Sequence, residues 1–199
     1  MNLVCLDLEG VLVPEVWIAF AEASGIPVLR RTTRDEPNYE KLMNWRIGVL
    51  KEHGLGVKEI QAVVDTMEPF PGAKEFLDEL RSITQVVLIS DIVDQLAAPL
   101  MKKLGWPTIF CNSLNLDGNG EITGLSLRSG NNKLAAVQAF QSMGYETISA
   151  GDSLNDIGMI GGSKAGFLFR TTEKIKADHP HIPAFDTYDQ LLEAIKAAL

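Results

Sequence analysis

The polar side chains of this chain recur where its short apolar runs end. They are Asp7, Glu9, Ser90, Asp91, the acidic stretch GDSLND over 151–156, and Lys133 at the start of a predicted helix. A single acidic residue at the end of a strand is more often simply solvated. Polar residues at several strand ends together are more informative, because open α/β sheets bind ligands beyond the carboxyl ends of their strands. The combined pattern therefore predicts one shared polar site.

The residue types in this set fit phosphoryl transfer. That reaction needs an oxygen nucleophile, a hard cation on oxygen ligands, and donors around the transferred group. Asp7 can be the nucleophile, since carboxylates form aspartyl-phosphates in several enzyme classes. Asp7 and Asp152 offer the few carboxylates that Mg²⁺ prefers. Ser90 offers a hydroxyl near a predicted helix N-terminus, which favours an anion, and Lys133 supplies a positive charge.

Alternating strand-like and helix-like segments must position these residues. Strands are predicted over 3–8, 85–90, 108–111, 146–150 and 165–169, and helices over 73–82, 94–104, 133–143 and 188–198. This alternation predicts an α/β fold with a doubly wound, mainly parallel sheet and helices on both faces. The stretch NSLNLDGNGEITGLSLR differs, because two alternating runs flank an Asp-Gly and Asn-Gly turn, which predicts a β-hairpin.

A long helical insertion follows the first strand. Residues 15–65 have helical periodicity in EVWIAFAEA, YEKLMNWRIGVLKEH and VKEIQAVVDTM, and this is far longer than an ordinary crossover connection. We interpret 15–69 as a small helical cap, and 1–14 together with 70–199 as the core domain. A cap that begins at the end of the first strand would cover the predicted site.

Composition limits the class of protein. The 199 residues are 46% hydrophobic and carry a formal charge of -8, so the chain can bury a core and repels nucleic acid. We find no export signal in MNLVCLDLEG, and no apolar run approaches the roughly 20 residues that span a bilayer. We expect a cytoplasmic protein that acts on a small molecule, without nucleic-acid or membrane partners. Cys5 and Cys111, each in an apolar run, are predicted to be core thiols.

The same residues resemble the four motifs of haloacid-dehalogenase-superfamily phosphatases, over nearly the whole chain. Asp7 and Glu9 match the first motif, usually Asp-x-Asp, and Ser90 in VVLISD matches the second. Lys133 in SGNNKLAAV matches the third, and GDSLND matches the fourth, an acidic Gly-Asp-x-x-x-Asp. GDSLND after an apolar strand is the specific signal, whereas an isolated Ser or Lys is weak alone.

Within the superfamily the chain resembles phosphoserine phosphatases with a helical cap, and more narrowly the bifunctional type that also transfers the phosphoryl group to homoserine. The likeness lies in DLEGVLVPE, in the cap stretches TTRD and YEKLMNWR, and in ISD and AGDSLND. Two positions depart from the broad family, because Glu9 replaces the second Asp and Val11 stands where Thr is common. The narrower type carries the same Glu, so the resemblance keeps the role of Glu9.

The resemblance implies catalytic and metal-binding roles for three residues. Asp7 would attack phosphorus, and Glu9 would protonate the departing alkoxide and then deprotonate the acceptor. Mg²⁺ would be held by the Asp7 carboxylate, the Glu9 backbone carbonyl and Asp152.

Phosphate and substrate contacts follow from the same resemblance. The phosphate would be bound by Ser90, Asp91, Lys133 and Asn155, with Asp156 orienting these groups from behind. Glu15 would bind a substrate ammonium and Arg46 its carboxylate, which Arg can match with two parallel hydrogen bonds. Other readings stay open, because Glu15 could merely favour a helix start and Arg46 could be a surface-paired residue.

Two other classes of protein compete with this interpretation. A signalling receiver module also uses Mg²⁺ and a phospho-accepting Asp, but its acidic pair follows the first strand, whereas GDSLND follows a late one. A nucleotide kinase would need a G-x-x-x-x-G-K-[ST] stretch, which the sequence lacks. The sequence does not fix the exact substrate. It also leaves the oligomeric state open, and a homodimer is compatible with it.

Overall fold

Seven strands form one sheet in the computed structural model, which describes residues 1–128 and 132–199. Residues 129–131, part of the stretch SGNNKLAAV, lie outside the described residues. The strands are β1 Asn2–Leu6, β2 Gln85–Val93, β3 Ile109–Leu116, β4 Ile122–Ser126, β5 Glu146–Gly151, β6 Ala165–Phe169 and β7 Ala184–Phe185. Their order is β4-β3-β2-β1-β5-β6-β7, and all neighbours are parallel except β3 and β4.

Strand β1 lies inside the sheet, with β2 on one edge and β5 on the other. Leu6 is in register with Leu88 of β2 and with Ala150 of β5. The carboxyl ends of these three parallel strands therefore meet at one edge of the sheet. Because the chain returns on opposite sides of β1, this edge is a switch point of the kind at which open α/β sheets bind ligands.

The side chains of β1 point alternately into two apolar layers, one on each face of the sheet. Val4 and Leu6 pack in one apolar cluster, whereas Leu3 and Cys5 pack in another, since successive side chains of a strand point to opposite faces. All four are buried, as expected for a parallel sheet covered on both faces. The predicted doubly wound α/β fold is confirmed.

Helices of the described residues cover both layers. They are α1 Val16–Ser24, α2 Tyr39–Glu52, α3 Val57–Thr66, α4 Ala73–Ile83, α5 Asp94–Lys103, α6 Lys133–Ser142, α7 Ile157–Gly161, α8 Glu173–Asp178 and α9 Tyr188–Ala198. Side chains of α4, α5 and α9 join the cluster of Val4, and those of α6, α7 and α8 join the cluster of Leu3. None of the helices within the described ranges combines the length and apolarity needed to cross a membrane.

The insertion after β1 is helical, as the sequence predicts, and contains α1, α2 and α3. Their buried side chains include Trp17, Met43 and Ile60, which belong to the same apolar cluster as Val4 of the sheet. The insertion is thus packed on the core. Its division into a separate cap over 15–69 stays a prediction.

The β-hairpin is confirmed, since β3 and β4 are antiparallel. At its turn, Oδ1 of Asp117 accepts hydrogen bonds from the N–H groups of Asn119 and Glu121, at 2.8 and 2.9 Å. Cys5 is a buried thiol, as predicted. Cys111 packs against the core but is only half-buried, because β4 pairs with β3 only from Ser113 onward and leaves its first residues at the edge of the sheet.

Several boundaries differ from the sequence prediction. β1 ends at Leu6 rather than at residue 8, because the carbonyl of Leu8 already accepts N–H groups from Leu12 and Val13 in a turn. β2 continues to Val93, which pairs with Asn112 after an irregularity in the ladder. Periodicity missed α7, α8 and β7, whose five, six and two residues are too few to display a period.

Candidate active site

A small cavity of ≈ 50 Å³ lies at the carboxyl ends of β1, β2 and β5. Every site residue predicted from the sequence lines it except Asp156, which lies behind Lys133. The insertion completes the wall with Trp17, Thr32, Thr33 and Tyr39. The structure therefore brings the predicted residues together, and we call this space the inner cavity.

Asp7 follows the last residue of β1 and is almost completely buried. Its backbone N–H donates to the carbonyl of Ala150 at 3.0 Å, which fixes the backbone against β5. Its Oδ1 accepts a hydrogen bond from the N–H of Leu8 at 2.7 Å and lies 2.9 Å from Nζ of Lys133. These contacts hold one carboxylate oxygen and set the orientation of the other.

Lys133 begins helix α6 and is buried between two carboxylates. Its Nζ lies 2.9 Å from Oδ1 of Asp7 and 2.7 Å from Oδ1 of Asp156. Burial alone would lower the pKa of Lys133, but the charges of Asp156 and Asp7 raise it well above its usual range. Lys133 therefore stays protonated and provides a fixed positive charge beside Asp7.

The stretch GDSLND folds around the carboxylate of Asp156. Its Oδ2 accepts hydrogen bonds from the N–H groups of Asp152 and Ser153, each at 3.0 Å. Gly151 is required there, because a Cβ on it would lie 2.3 Å from Cγ of Asp156. Asp156 thus holds both this turn and Lys133.

The inner cavity carries a surplus of buried negative charge. Asp7, Asp152 and Asp156 each present a carboxylate oxygen within 4.8 Å of the others. Burial, together with the charge of Asp156, raises the pKa of Asp7 well above its usual range and that of Asp152 to about 7. Hard oxygen ligands that repel one another fit a divalent cation such as Mg²⁺. Asp7 and Asp152 are the better ligands, because both oxygens of Asp156 are already bonded.

Gly10 lets the loop after β1 approach Asp152. Its φ is +79°, and a Cβ at this position would lie 2.4 Å from Cγ of Asp152. A side chain here would therefore strain the backbone and push the carboxylate aside. The same loop is anchored from the other side, where the hydroxyl of Tyr188 donates to the carbonyl of Val11 at 2.6 Å.

Glu9 turns its carboxylate toward the start of helix α1. Its Oε1 accepts the N–H of Val16 at 2.8 Å. Burial, and then the charge of Glu15, raise the pKa of Glu9 to about 8, although the bond from Val16 opposes the rise. At neutral pH Glu9 therefore carries a proton that it can donate.

Arg46 and Glu15 both line the inner cavity. Arg46 is buried, its guanidinium carbon lies 4.5 Å from the centre of the Trp17 ring, and its Nη2 donates to the carbonyl of Arg31 at 2.7 Å. Its Nε is buried without a hydrogen-bond partner among the described residues. Arg46 is thus not a solvated surface residue, and it retains donor capacity at the cavity.

Ser90, Asp91 and Asn155 also line the inner cavity. Ser90 is fully buried, and its Oγ accepts the N–H of Ile92 at 3.3 Å. Nδ2 of Asn155 donates to Oδ2 of Asp91 at 2.7 Å. Because a carboxylate only accepts hydrogen bonds, Asp91 could bind phosphate only through its backbone N–H. The phosphate-binding roles of these residues stay predictions.

Sequence reasoning missed three residues that contact this site. Nη2 of Arg34 lies 3.5 Å from Oδ2 of Asp152, Nη2 of Arg128 lies 3.6 Å from Oδ1 of Asp91, and the hydroxyl of Tyr39 donates to the carbonyl of Asp91. All three come from irregular segments or helix starts, where the sequence has no periodicity that would indicate which way a side chain points. The nearest signal was the Arg in TTRD, to which no role was assigned.

This fold and this site define a class of hydrolase. Residues 1–163 match the family model of haloacid dehalogenase-like hydrolases, and the chain belongs to that family. The chain is 47% identical over 199 residues to phosphoserine phosphatase ThrH of Pseudomonas aeruginosa, covering 100% of this chain and 97% of that protein. It is also 47% identical to a phosphoserine phosphatase of Pseudomonas syringae pv. tomato, covering 100% of this chain and 84% of that protein.

Solved structures agree in fold. A phospho-aspartyl intermediate analogue of phosphoserine phosphatase matches with a TM-score of 0.79 at 21% identity, over 97% of this chain and 98% of that one. At this identity the match supports the architecture alone.

Proposed function

We propose that the protein is a Mg²⁺-dependent phosphoserine phosphatase that works through a phosphorylated Asp7 and can also pass the phosphoryl group to homoserine. The observation that carries the proposal is the buried Asp7, held by Lys133 at 2.9 Å at the switch point of the sheet. The choice of substrate is supported by 47% identity to two proteins named phosphoserine phosphatase. The homoserine branch rests on the resemblance of DLEGVLVPE and of the cap stretches.

In the first half-reaction Asp7 attacks the phosphorus of phosphoserine. The bond from phosphorus to the serine oxygen breaks as the bond to Asp7 forms, and Glu9 gives its proton to the departing oxygen. Glu9 suits this step because its pKa is raised to about 8 by burial and by Glu15. Lys133 balances charge on Asp7 during the transfer.

In the second half-reaction an acceptor oxygen attacks the same phosphorus. Glu9, now ionised, removes one proton from water or from the hydroxyl of homoserine, and the carboxylate of Asp7 is released. The two acceptors need the same proton transfer, so the ratio of their products depends on how often each acceptor occupies the site. Homoserine gains from orientation by Glu15 and Arg46, whereas water gains from its concentration.

Mg²⁺ would be held by Asp7, Asp152 and the Glu9 carbonyl, and when bound it supplies positive charge to the phosphate oxygens. Its fit is supported by the buried carboxylates of Asp7 and Asp152, which lie close together and repel one another. The cytoplasmic location and a homodimer stay predictions from the sequence.

One reaction tests both acceptors. The enzyme is incubated with phosphoserine, Mg²⁺ and saturating homoserine, and O-phosphohomoserine and free phosphate are quantified by phosphorus NMR. The proposal predicts both products. Free phosphate alone would make this protein a plain phosphatase, and neither product would remove phosphoserine as the donor.

A further inference from the structure

A short segment of the insertion, residues 31–38, lies over the inner cavity, and we call it the roof segment. The carbonyl of Arg31 accepts Nη2 of Arg46 at 2.7 Å. The turn is held from within, because Oδ2 of Asp35 accepts the N–H of Thr32 at 2.9 Å. These contacts present Arg34 above Asp152 in a defined place.

The roof segment also borders a larger space outside the inner cavity. This outer pocket has a volume of ≈ 500 Å³ and includes Arg34 in its wall. The two spaces share Thr33, Tyr39, Asp91, Lys133, Ser153 and Asn155. Arg34 therefore lines a space that adjoins the cavity of Asp7.

Arg34 differs from the other cations near the site in what its head group contacts. Lys133 is fixed by Asp7 and Asp156, and Arg46 is packed on Trp17. Arg128 is mostly buried, lies beside Asp91 and donates to the carbonyl of Asn132. The guanidinium of Arg34 makes a single polar contact within the described ranges, the 3.5 Å approach of Nη2 to Oδ2 of Asp152. Its side chain is 45% exposed and lines the outer pocket, so it keeps donors that no protein acceptor in the described ranges occupies.

We propose that Arg34 binds the phosphoryl group of the substrate from the roof segment, and that its contact with Asp152 is the position it leaves when that anion arrives. Oxygens of Asp7 and Asp152 lie within 4.8 Å of each other, so a phosphoryl group against Asp7 sits beside the carboxylate that Arg34 already contacts. Arg presents several N–H groups in a planar fork that matches phosphate oxygens.

The same geometry makes Arg34 compete with a divalent cation for Asp152. Both would be drawn to the carboxylate of Asp152, so each weakens the binding of the other there. Once the cation is bound, the guanidinium is free to pair with the phosphoryl group. Arg34 thus links phosphate binding to metal binding, and linkage is reciprocal between two ligands.

Titration calorimetry tests the proposal with two probes, orthophosphate in the presence of Mg²⁺, and Mg²⁺ alone. The variants are Arg34→Gln, Arg34→Lys and, as a matched control, Arg30→Gln. Arg30 is four residues away, is exposed, and pairs with Glu22, so its replacement removes the same charge without touching either space.

We expect Arg34→Gln to raise the Kd of orthophosphate roughly ten- to a hundredfold, the usual effect of one lost charge-assisted hydrogen bond. Arg34→Lys should recover part of that loss, and Arg30→Gln should leave the Kd unchanged. With Mg²⁺ alone, Arg34→Gln should bind the cation more tightly than the wild type does.

Two results overturn the proposal. An unchanged orthophosphate Kd in Arg34→Gln would exclude the phosphoryl-binding role. Weaker Mg²⁺ binding in Arg34→Gln would show that Arg34 only positions Asp152. The inference rests on the proposed function only in that the substrate carries a phosphoryl group. Orthophosphate binding does not require turnover of phosphoserine, so failure of that function would be seen separately.

Discussion

The ammonium of Lys133 lies 2.7 Å from Oδ1 of Asp156, and neither side chain is open to solvent. The other oxygen of Asp156 accepts two backbone N–H groups at the start of GDSLND. One carboxylate therefore connects the helix that carries Lys133 with the turn that carries Asp152. The charge beside Asp7 and the proposed metal ligand are positioned by the same group.

Asp156→Asn tests this connection. The amide would have to direct its NH₂ either at Lys133 or at backbone N–H groups, so one set of donors loses its acceptor. Removing one partner of a buried charge pair costs about 3–5 kcal/mol, and we expect a loss of that size in urea unfolding together with a large fall in kcat. Glu79→Gln, which removes an exposed partner of Lys196, should change either quantity little. Near-wild-type stability of Asp156→Asn would contradict the connection.

Gly10→Ala should impair metal binding specifically. The new Cβ would meet the carboxylate of Asp152, with 2.4 Å to its Cγ. Gly25 is the matched control, because its φ of +68° imposes similar strain while a Cβ there would meet nothing within 4 Å. Both alanine variants should lose about 1–2 kcal/mol of stability through backbone strain. Only Gly10→Ala, whose Cβ also meets Asp152, should need more Mg²⁺ for half-maximal activity. Equal Mg²⁺ requirements in the two variants would show that Gly10 is needed only for its backbone conformation.

The metal-free protein should become less stable as pH rises from about 5 to 8. Burial and the charge of Glu15 raise the pKa of Glu9 from 4.5 to about 8, and burial and the charge of Asp156 raise that of Asp152 from 3.8 to about 7. Between these values the folded protein keeps protons that the unfolded chain has released. The stabilisation is therefore complete below the unfolded pKa and is lost as pH rises through the folded one.

Thermal unfolding across that range, with and without Mg²⁺, measures the effect. Saturating Mg²⁺ should flatten the decline, because it favours ionised Asp152, and Glu9→Gln should flatten it without metal. A metal-free Tm that rises across the range would contradict the assigned shifts.

Arg46→Ala should weaken use of phosphoserine more than use of a phosphomonoester that lacks a carboxylate. Losing a hydrogen bond to a charged group costs about 1.5–3 kcal/mol, or roughly ten- to a hundredfold in kcat/KM. Arg46 also packs on Trp17, so some loss is expected on both substrates. Equal losses on the two would make Arg46 structural.

Sequence patterns were sufficient for the fold and for most of the cavity wall. Strand ends are readable because apolar runs stop at a polar residue, and parallel strands bring those ends to one edge. Asp7, Ser90 and Asp152 can be grouped in this way from the sequence alone. The family resemblance then added Glu15 and Arg46, and both line the cavity.

Contacts made by irregular segments could not be predicted. Arg34 reaches Asp152 from a turn, and Tyr188 reaches Val11 from the start of the last helix. The partners in each pair are more than a hundred residues apart in the chain, and no periodicity relates them. The shared role of Asp156 was likewise hidden, because sequence spacing does not reveal which oxygen accepts which donor.

The proposed function depends on one step, the phosphorylation of Asp7 by phosphoserine. The direct test is to mix the enzyme with phosphoserine and Mg²⁺, quench in acid within the first turnover, and locate the added phosphoryl group by peptide mass spectrometry. Asp7→Asn, a poor nucleophile of nearly the same shape, is the control. We predict a phosphoryl group on Asp7 that disappears as substrate is exhausted, and none on the variant. Phosphoserine turnover without a phosphoryl group on Asp7, or full turnover by Asp7→Asn, would exclude Asp7 as the nucleophile.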